Sequence, residues 1–416
     1  MEKNIIPVAF SFDEKFFIGA YITIFSLLSN AKKTTQYKIY FLLDLDKFNK
    51  STLNKFYELA DIFNTKITII EVNNNQYNFK DYGRYSIEVY NRLLIPWLIK
   101  NEDKILYLDV DLIINDDLYE LYNINIENYL IGASLATDVI LEIDNYIPNF
   151  FENFNLNKDE YINSGVLLIN SKKFRELNLL DDLLNKTKHN FPAVDQDILN
   201  IVCENQKYIL NKNYNVTYGI NYFINKYSNI IDINDFVEYY FNPIIFHYTD
   251  YHKPWNFYYP NSEMHNKWWE YYKKSPIFNE KYFYQKMAEY FEQRKKIEYE
   301  FNLLEQKIQY YVKNNDNIML NNYWFSLLSI FGIQLLAISN NSNYIRFTIL
   351  GIKLTFSIND KIINKMAWWI PIKSLRNNFR AKFKIADQTR PDQTRPDQTR
   401  PNIYICSDYI LLNNIT

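Results

Sequence analysis

The stretch Lys104-Ile-Leu-Tyr-Leu-Asp109-Val-Asp111-Leu-Ile-Ile ends an apolar run in two carboxylates one residue apart. Side-chain alternation puts both on one side of the chain if it stays extended. Two carboxylates that close repel each other, and a hard divalent cation relieves the repulsion. Mg²⁺ or Mn²⁺ prefers oxygen ligands and keeps coordination positions open for phosphate oxygens. An Asp-x-Asp alone is weak evidence, and its place at the end of a buried strand strengthens it. A second group is Ile245-Phe-His247-Tyr, followed by Lys253-Pro-Trp255. The imidazole of His247 could be a third metal ligand, and Lys253 could neutralise phosphate. Read alone, His247 fits a structural histidine at least as well.

Two further stretches place polar side chains against apolar ones. In Tyr161-Ile-Asn163-Ser-Gly165-Val-Leu-Leu-Ile-Asn170, small polar residues precede a buried strand. Gly165 would let a ligand approach the backbone closely, and a plain turn explains the same residues. In Asp195-Gln196-Asp197-Ile-Leu-Asn200, polar residues open a helix that Asp195 could simply cap. The sequence has no Walker loop, no His-Glu-x-x-His, no Gly-x-Ser-x-Gly and no zinc-ligand spacing.

The elements that must position these residues alternate through the first 255 residues. Strands are expected at Ile6–Phe10, Tyr37–Leu43, Ile67–Val72 and Lys104–Leu108. Helices are expected at Phe17–Leu28, Leu53–Phe63 and Tyr85–Ile99, the last interrupted by Pro96. This order predicts an α/β domain with a mostly parallel sheet. Ligands of such sheets bind beyond the carboxyl ends of the strands, where Asp13 and the Asp109/Asp111 pair fall.

After Trp255 the pattern changes. The charged stretch Tyr284–Lys313 carries Ile297, Phe301, Leu304, Ile308 and Tyr311 at spacings of four and three. That is a short heptad seam, which serves equally for packing on its own domain or for a homo-oligomer contact over 284–313. Tyr344–Ile358 reads as a hairpin around Gly351. Lys361–Lys384 holds seven cations and no acid beside Trp368, Trp369, Leu375, Phe379 and Phe383. Cations with aromatics suit a helix lying on an anionic bilayer; a solvated basic helix is the plainer reading. Asp387–Pro401 is three copies of Asp-Gln-Thr-Arg-Pro, whose recurrent proline suits an extended linker.

The chain has 416 residues, of which 48% are hydrophobic and 23% charged, so it can bury a core. Its net charge is −2, which leaves no global field for nucleic acid, and no nucleic-acid partner is expected. Two cysteines make no disulfide framework, so a reducing compartment is expected. Met1–Phe10 lacks the features of a signal peptide, and no stretch reaches the roughly 18 apolar residues of a spanning helix.

In this order the motifs resemble glycosyltransferase family 8, above all its bacterial lipopolysaccharide and lipooligosaccharide galactosyl- and glucosyltransferases, with glycogenin more distant. The resemblance runs from about Ile6 to Trp255. It rests on Ala9-Phe-Ser-Phe-Asp13, Tyr90-Asn-Arg92-Leu, Tyr107-Leu-Asp-Val-Asp111, Asn163-Ser-Gly-Val-Leu-Leu-Ile-Asn170, Asp195-Gln-Asp-Ile-Leu-Asn200 and His247-Tyr-x5-Pro-Trp255. It implies a GT-A, Rossmann-like nucleotide-sugar-binding fold, a UDP-sugar donor, Mn²⁺ or Mg²⁺, and transfer with retention of configuration. By resemblance Asp109, Asp111 and His247 hold the metal, and Lys253 meets the diphosphate. Asp13 meets the uridine, and Arg92 and Asn163 lie along the donor with Asp109. Asp138 meets the donor sugar, and Gln196 lies beneath the anomeric carbon. The family often has glycine three residues after the metal histidine; here that position is Asp250.

The expected organisation is a GT-A catalytic domain over 1–275 with a C-terminal helical and small β extension. That extension comprises a charged heptad-like helix over 276–315, an apolar β-hairpin segment over 316–360, a basic aromatic membrane segment over 361–384, a linker over 385–401 and a tail over 402–416. The expected activity moves galactose or glucose from UDP to a cell-surface glycan such as lipooligosaccharide or its lipid-linked precursor. It would take place at the inner face of the cytoplasmic membrane. The competing expectation is a catalytically inactive homologue that binds a glycan or serves as a scaffold. The full Asp109/Asp111/His247 set weighs against it.

Overall fold

The computed structural model describes residues 3–77, 79, 86–137, 149–217, 239–240, 243–249, 253–258 and 262–314, and four strands between 324 and 357. Asp138, Asp250, the basic segment 361–384, the repeat 387–401 and the tail 402–416 lie outside the described residues. Two units are present, Met1–Arg294 and Lys295–Thr416.

The first unit is built on a seven-stranded sheet. Its strands are β1 (Asn4–Ser11), β2 (Thr35–Leu43), β3 (Lys66–Glu71), β4 (Ile105–Leu108), β6 (Ile131–Ala133), β7 (Val166–Ile169) and β8 (Lys207–Ile209), in the order β3-β2-β1-β4-β7-β6-β8. β1 is parallel to β2 and β4, β2 to β3, and β6 to β8, while β7 runs antiparallel to both its neighbours. The mostly parallel α/β sheet expected from the sequence is the sheet observed.

Both faces of this sheet are covered, and the side chains divide between them with a period of two. Val8, Phe10, Ile39, Phe41, Leu106, Leu108, Val166 and Leu168 enter one core with Tyr21 and Ile24 of α1 (Phe17–Ser29) and Phe56 and Leu59 of α2 (Lys50–Ile62). Ala9, Tyr40, Leu42, Ile105, Tyr107, Leu167 and Ile169 enter the other, with Leu94 of α3 (Asn91–Leu98) and Ile198 of the helix Asp195–Val202. These strands therefore read as continuous apolar runs.

The helix expected to break at Pro96 does not. α3 continues through Pro96 to Leu98, and Ile99 N–H closes on the Ile95 carbonyl. The proline withholds one backbone donor, and burial of Leu93, Leu94 and Ile95 outweighs that loss.

A two-stranded antiparallel ribbon pairs β5 (Leu112–Ile114) with β9 (Ile245–His247), with Leu112 opposite His247. After it come the helices Glu263–Lys274 and Glu280–Asn314. Trp255, Trp268, Trp269 and Tyr272 bury in the core beside α1. The second unit contains an antiparallel sheet in sequential order, β10 (Trp324–Ile330), β11 (Ile333–Asn340), β12 (Tyr344–Ile349) and β13 (Ile352–Ser357). The hairpin at Gly351 is its last pair. No described helix is long and apolar enough to cross a membrane.

Candidate active site

The reversal of β7 builds the site. Because β7 opposes β4, the residues that precede it reach the same sheet edge as those that follow β1 and β4. Val166 pairs with Leu108, and Asp109 N–H donates to the Gly165 carbonyl at 2.8 Å. Asn163, Ser164 and Gly165 thus stand beside Asp109, at the carboxyl edge where parallel sheets bind ligands.

Asp109 and Asp111 do not converge by strand alternation. The chain leaves β4 at Leu108, bends, and enters β5 at Leu112. β5 then pairs with β9, and Tyr248 N–H donates to the Asp111 carbonyl at 2.9 Å. This places the His247 ring over the bend. His247 Nε2 lies 3.3 Å from Asp111 Oδ1 and 3.8 Å from Asp109 Oδ2. One ligand atom from each of the three residues falls within 4.8 Å of the others.

Each carboxylate is tied down through its other oxygen. Asp109 Oδ1 receives Arg92 Nη2 at 2.8 Å and the Tyr107 hydroxyl at 2.8 Å. Asp111 Oδ2 receives Lys253 Nζ at 2.7 Å, and the same ammonium donates to the Tyr248 carbonyl at 2.6 Å. Burial opposes charge on Asp111, but Lys253 and His247 outweigh it and hold the carboxyl well below the usual range. Asp109 Oδ2, which Arg92 Nη1 also reaches at 3.3 Å, and Asp111 Oδ1 face the imidazole. Two carboxylate oxygens and one ring nitrogen, all held from behind, suit a hard divalent cation. Gly165 keeps the space clear: a Cβ there would run into the His247 ring and come within 2.8 Å of Asp109 Oδ2.

Arg92 is the hub behind the acids. It lies over the Tyr107 ring at 4.5 Å and donates Nη1 to the Ser164 carbonyl at 2.7 Å. Its Nε pairs with Asp195 Oδ2 at 3.1 Å. Burial works against the guanidinium, yet Asp109 and Asp195 together push its pKa further up, so it stays charged. Asp195 fares differently. Burial raises its carboxyl to about 6 against the pull of Arg92, because the cation is shared and lies nearer Asp109, whose own charge repels Asp195. Asp195 caps nothing: it is the first residue of its helix, and its side chain also accepts from the Ser164 hydroxyl at 2.9 Å.

The remaining expected residues are placed as follows. Gln196 is buried; its Oε1 accepts from Ser164 N–H at 3.1 Å and its Nε2 donates to the Tyr161 hydroxyl at 3.3 Å. Asn163 Oδ1 accepts from Gly165 N–H and from Asn215 Nδ2, each at 2.9 Å. Asp13 follows β1 on the same sheet edge and caps its own 3₁₀ turn through Phe16 N–H at 3.2 Å. Burial and the neighbouring Glu88 raise its pKa. Asp109, Asp111, His247, Lys253 and Arg92 are brought together directly, and Asn163 and Gln196 join through Asn215 and Ser164. Asp138 lies outside the described residues.

The sequence reading did not single out Tyr107 or Ser164 as site residues, and it missed Asn215. Asn215 reaches the site because Val216 bridges to Phe246 of β9, a pairing with no signature in spacing. Tyr107 and Ser164 were legible only as neighbours of the motifs.

The sequence model described as Glycosyl transferase family 8 matches residues 7–258, more than half of the chain. The chain belongs to this family. A putative glycosyltransferase of Haemophilus influenzae is 31% identical over 215 residues, covering 50% of this chain and 63% of that protein. The family 8 chain thus spans under two thirds of that relative. A lipopolysaccharide 1,2-glucosyltransferase of Escherichia coli is 28% identical over 272 residues, covering 61% of this chain and 74% of that one. Among solved structures, galactosyltransferase LgtC in complex with donor and acceptor sugar analogues superposes with a TM-score of 0.54 at 21% identity. It covers 67% of this family 8 chain and 99% of its own. That likeness shows the fold, which is GT-A.

Proposed function

We propose that the protein is a retaining, metal-dependent transferase that moves galactose or glucose from a UDP-sugar to a cell-surface glycan such as lipooligosaccharide. The observation that carries this is the convergence of Asp109 Oδ2, Asp111 Oδ1 and His247 Nε2 on one point, beside Lys253 and on the edge that holds Asp13. Mn²⁺ or Mg²⁺ held by those three residues would set positive charge against the diphosphate as its bond to the sugar breaks.

The chain's own residues divide the remaining work. Asp13 is suited to accept from the uridine. Arg92 holds Asp109 in place. Lys253 tethers Asp111 Oδ2 and would stand beside the diphosphate as a second positive charge. Asn163 offers its Nδ2 hydrogens to the donor, since its Oδ1 is already engaged. Asp138 is assigned to the donor sugar on the resemblance alone. Gln196 is a feeble nucleophile, being a neutral amide whose carbonyl oxygen already accepts from Ser164 N–H. We therefore favour attack by the acceptor hydroxyl from the face that UDP leaves. The new C1–O bond forms as the C1–O bond to the β-phosphate breaks, and the hydroxyl proton passes to that phosphate oxygen. The reading extends to a peripheral site of action on an anionic membrane through residues 361–384, where lipid-linked acceptors are built.

The test is UDP release from UDP-galactose and UDP-glucose, with Mn²⁺ or with EDTA. One donor should be hydrolysed slowly in Mn²⁺ alone, and Asp111→Ala should lower that rate about 100-fold or more, worth about 2.7 kcal/mol. Hydrolysis that persists in EDTA would refute the metal's role. The competing reading, an inactive glycan-binding scaffold, requires no release and no Mn²⁺-dependent nucleotide binding.

A further inference from the structure

One chain of hydrogen bonds at the site has an orientation that only one of its members can set. Gly165 N–H meets Asn163 Oδ1 at 2.9 Å, Asn163 Oδ1 meets Asn215 Nδ2 at 2.9 Å, and Asn215 Oδ1 meets His247 Nδ1 at 2.9 Å. Asn163, Asn215 and His247 are 7%, 5% and 3% exposed, so solvent does not decide which atom faces which.

A backbone N–H can only donate. The atom of Asn163 that faces Gly165 must therefore be its oxygen. That oxygen also faces Asn215, which must answer with its amide nitrogen. The other end of Asn215 is then its oxygen, an acceptor, and it faces His247 Nδ1. Turning either amide over would set donor against donor or acceptor against acceptor in a buried place. His247 Nδ1 therefore carries a hydrogen, and Nε2 is the nitrogen turned to Asp111 Oδ1 and Asp109 Oδ2.

We propose that Asn215 is the positioning residue of the metal site, transmitting the polarity of the Gly165 N–H through Asn163 to His247 so that Nε2 is presented to the cation. This rests on the metal site proposed above. A ligating imidazole needs its other nitrogen held by an acceptor, which fixes both ring orientation and tautomer. The same chain commits Asn163 Oδ1 and leaves only its Nδ2 to a ligand, so the residue assigned to the donor and the residue assigned to the metal share one link. Val216 fixes that link by backbone: its N–H donates to the Ile245 carbonyl and its carbonyl accepts from His247 N–H, each at 2.9 Å.

Two measurements on the full chain test the proposal. The first is long-range ¹H–¹⁵N spectroscopy of histidine-labelled, metal-free wild type, with the His247 signals assigned by their loss in His247→Gln. A hydrogen on Nδ1 is expected. A hydrogen on Nε2 alone would overturn the proposal without any variant having to fold. The second is Mn²⁺ affinity by electron paramagnetic resonance. Asn215→Leu should weaken binding about 10- to 100-fold, as loss of an outer partner does. Asn215→Asp, which still accepts from Nδ1 but sets an acceptor against Asn163 Oδ1, should recover only part of that loss. Equal affinity in wild type and Asn215→Leu would overturn the positioning role while leaving the metal site standing. No Mn²⁺ binding by wild type would instead remove the metal site itself, and this inference with it.

Discussion

At the scale of single residues, each acid is tethered mainly through one oxygen while the other faces His247, Asp109 Oδ2 also within 3.3 Å of Arg92 Nη1. Asp109 is held by Arg92 and Tyr107, and Asp111 by Lys253. The residue that protects the resulting gap has no side chain. Gly165 has no unusual backbone angle, so only space argues for it. Gly165→Ala should therefore weaken Mn²⁺ binding at least about tenfold, because the added methyl displaces His247 and Asp109, two of the three proposed ligands. Titration followed by electron paramagnetic resonance would read this; wild-type affinity in the alanine variant would refute it. That Asp109, Asp111 and His247 meet at one place was expected from the family resemblance, since acids at a strand end and a histidine after an apolar run are, by themselves, weak signals. Asn215 was not, since asparagine is abundant here and its partner lies 32 residues away.

At the scale of elements, the site depends on how chain segments turn rather than on how they run. The bend between β4 and β5 brings Asp109 and Asp111 onto one ligand point. Strand alternation, the basis of the sequence expectation, is not the cause. The antiparallel course of β7, invisible in its apolar composition, delivers Asn163–Gly165 to the proper edge. α1 backs this arrangement through Gly19, where a Cβ would lie 2.6 Å and 2.8 Å from Trp255 ring atoms and 2.8 Å from the Val110 carbonyl. Val110 separates the two aspartates, and Trp255 follows Lys253 by two residues. Gly19→Ala should therefore cost about 1–3 kcal/mol of stability, as overpacking does, and lower UDP release together with it. Urea denaturation and the release assay measure both; a stable variant with reduced release would instead locate the effect in the two loops alone. Pro96 shows the opposite limit of sequence reading: a helix whose apolar face is buried carries a proline that an isolated helix would not.

At the scale of the whole molecule, the catalytic fold was readable because six short motifs in fixed order leave few alternatives. The C-terminal third was readable only in part. The hairpin at Gly351 was expected, while its extension to four strands by β10 and β11 was not. Their apolar residues, Trp324–Ile338, register only as a run too short to span a bilayer. The basic aromatic segment 361–384 and the repeat 387–401 have separable expected roles. Deleting 387–401 should leave turnover of a soluble acceptor unchanged, whereas deleting 361–384 should abolish sedimentation with phosphatidylglycerol vesicles. Loss of donor hydrolysis in the first deletion would contradict this division. The central claim is that Asp109, Asp111 and His247 hold the cation through which the nucleotide binds. Calorimetric titration of UDP into wild type and Asp111→Ala, in Mn²⁺ and in EDTA, tests it most directly. Binding in wild type with Mn²⁺ and in no other sample is the predicted result. Equal binding in EDTA, or in Asp111→Ala, would contradict it.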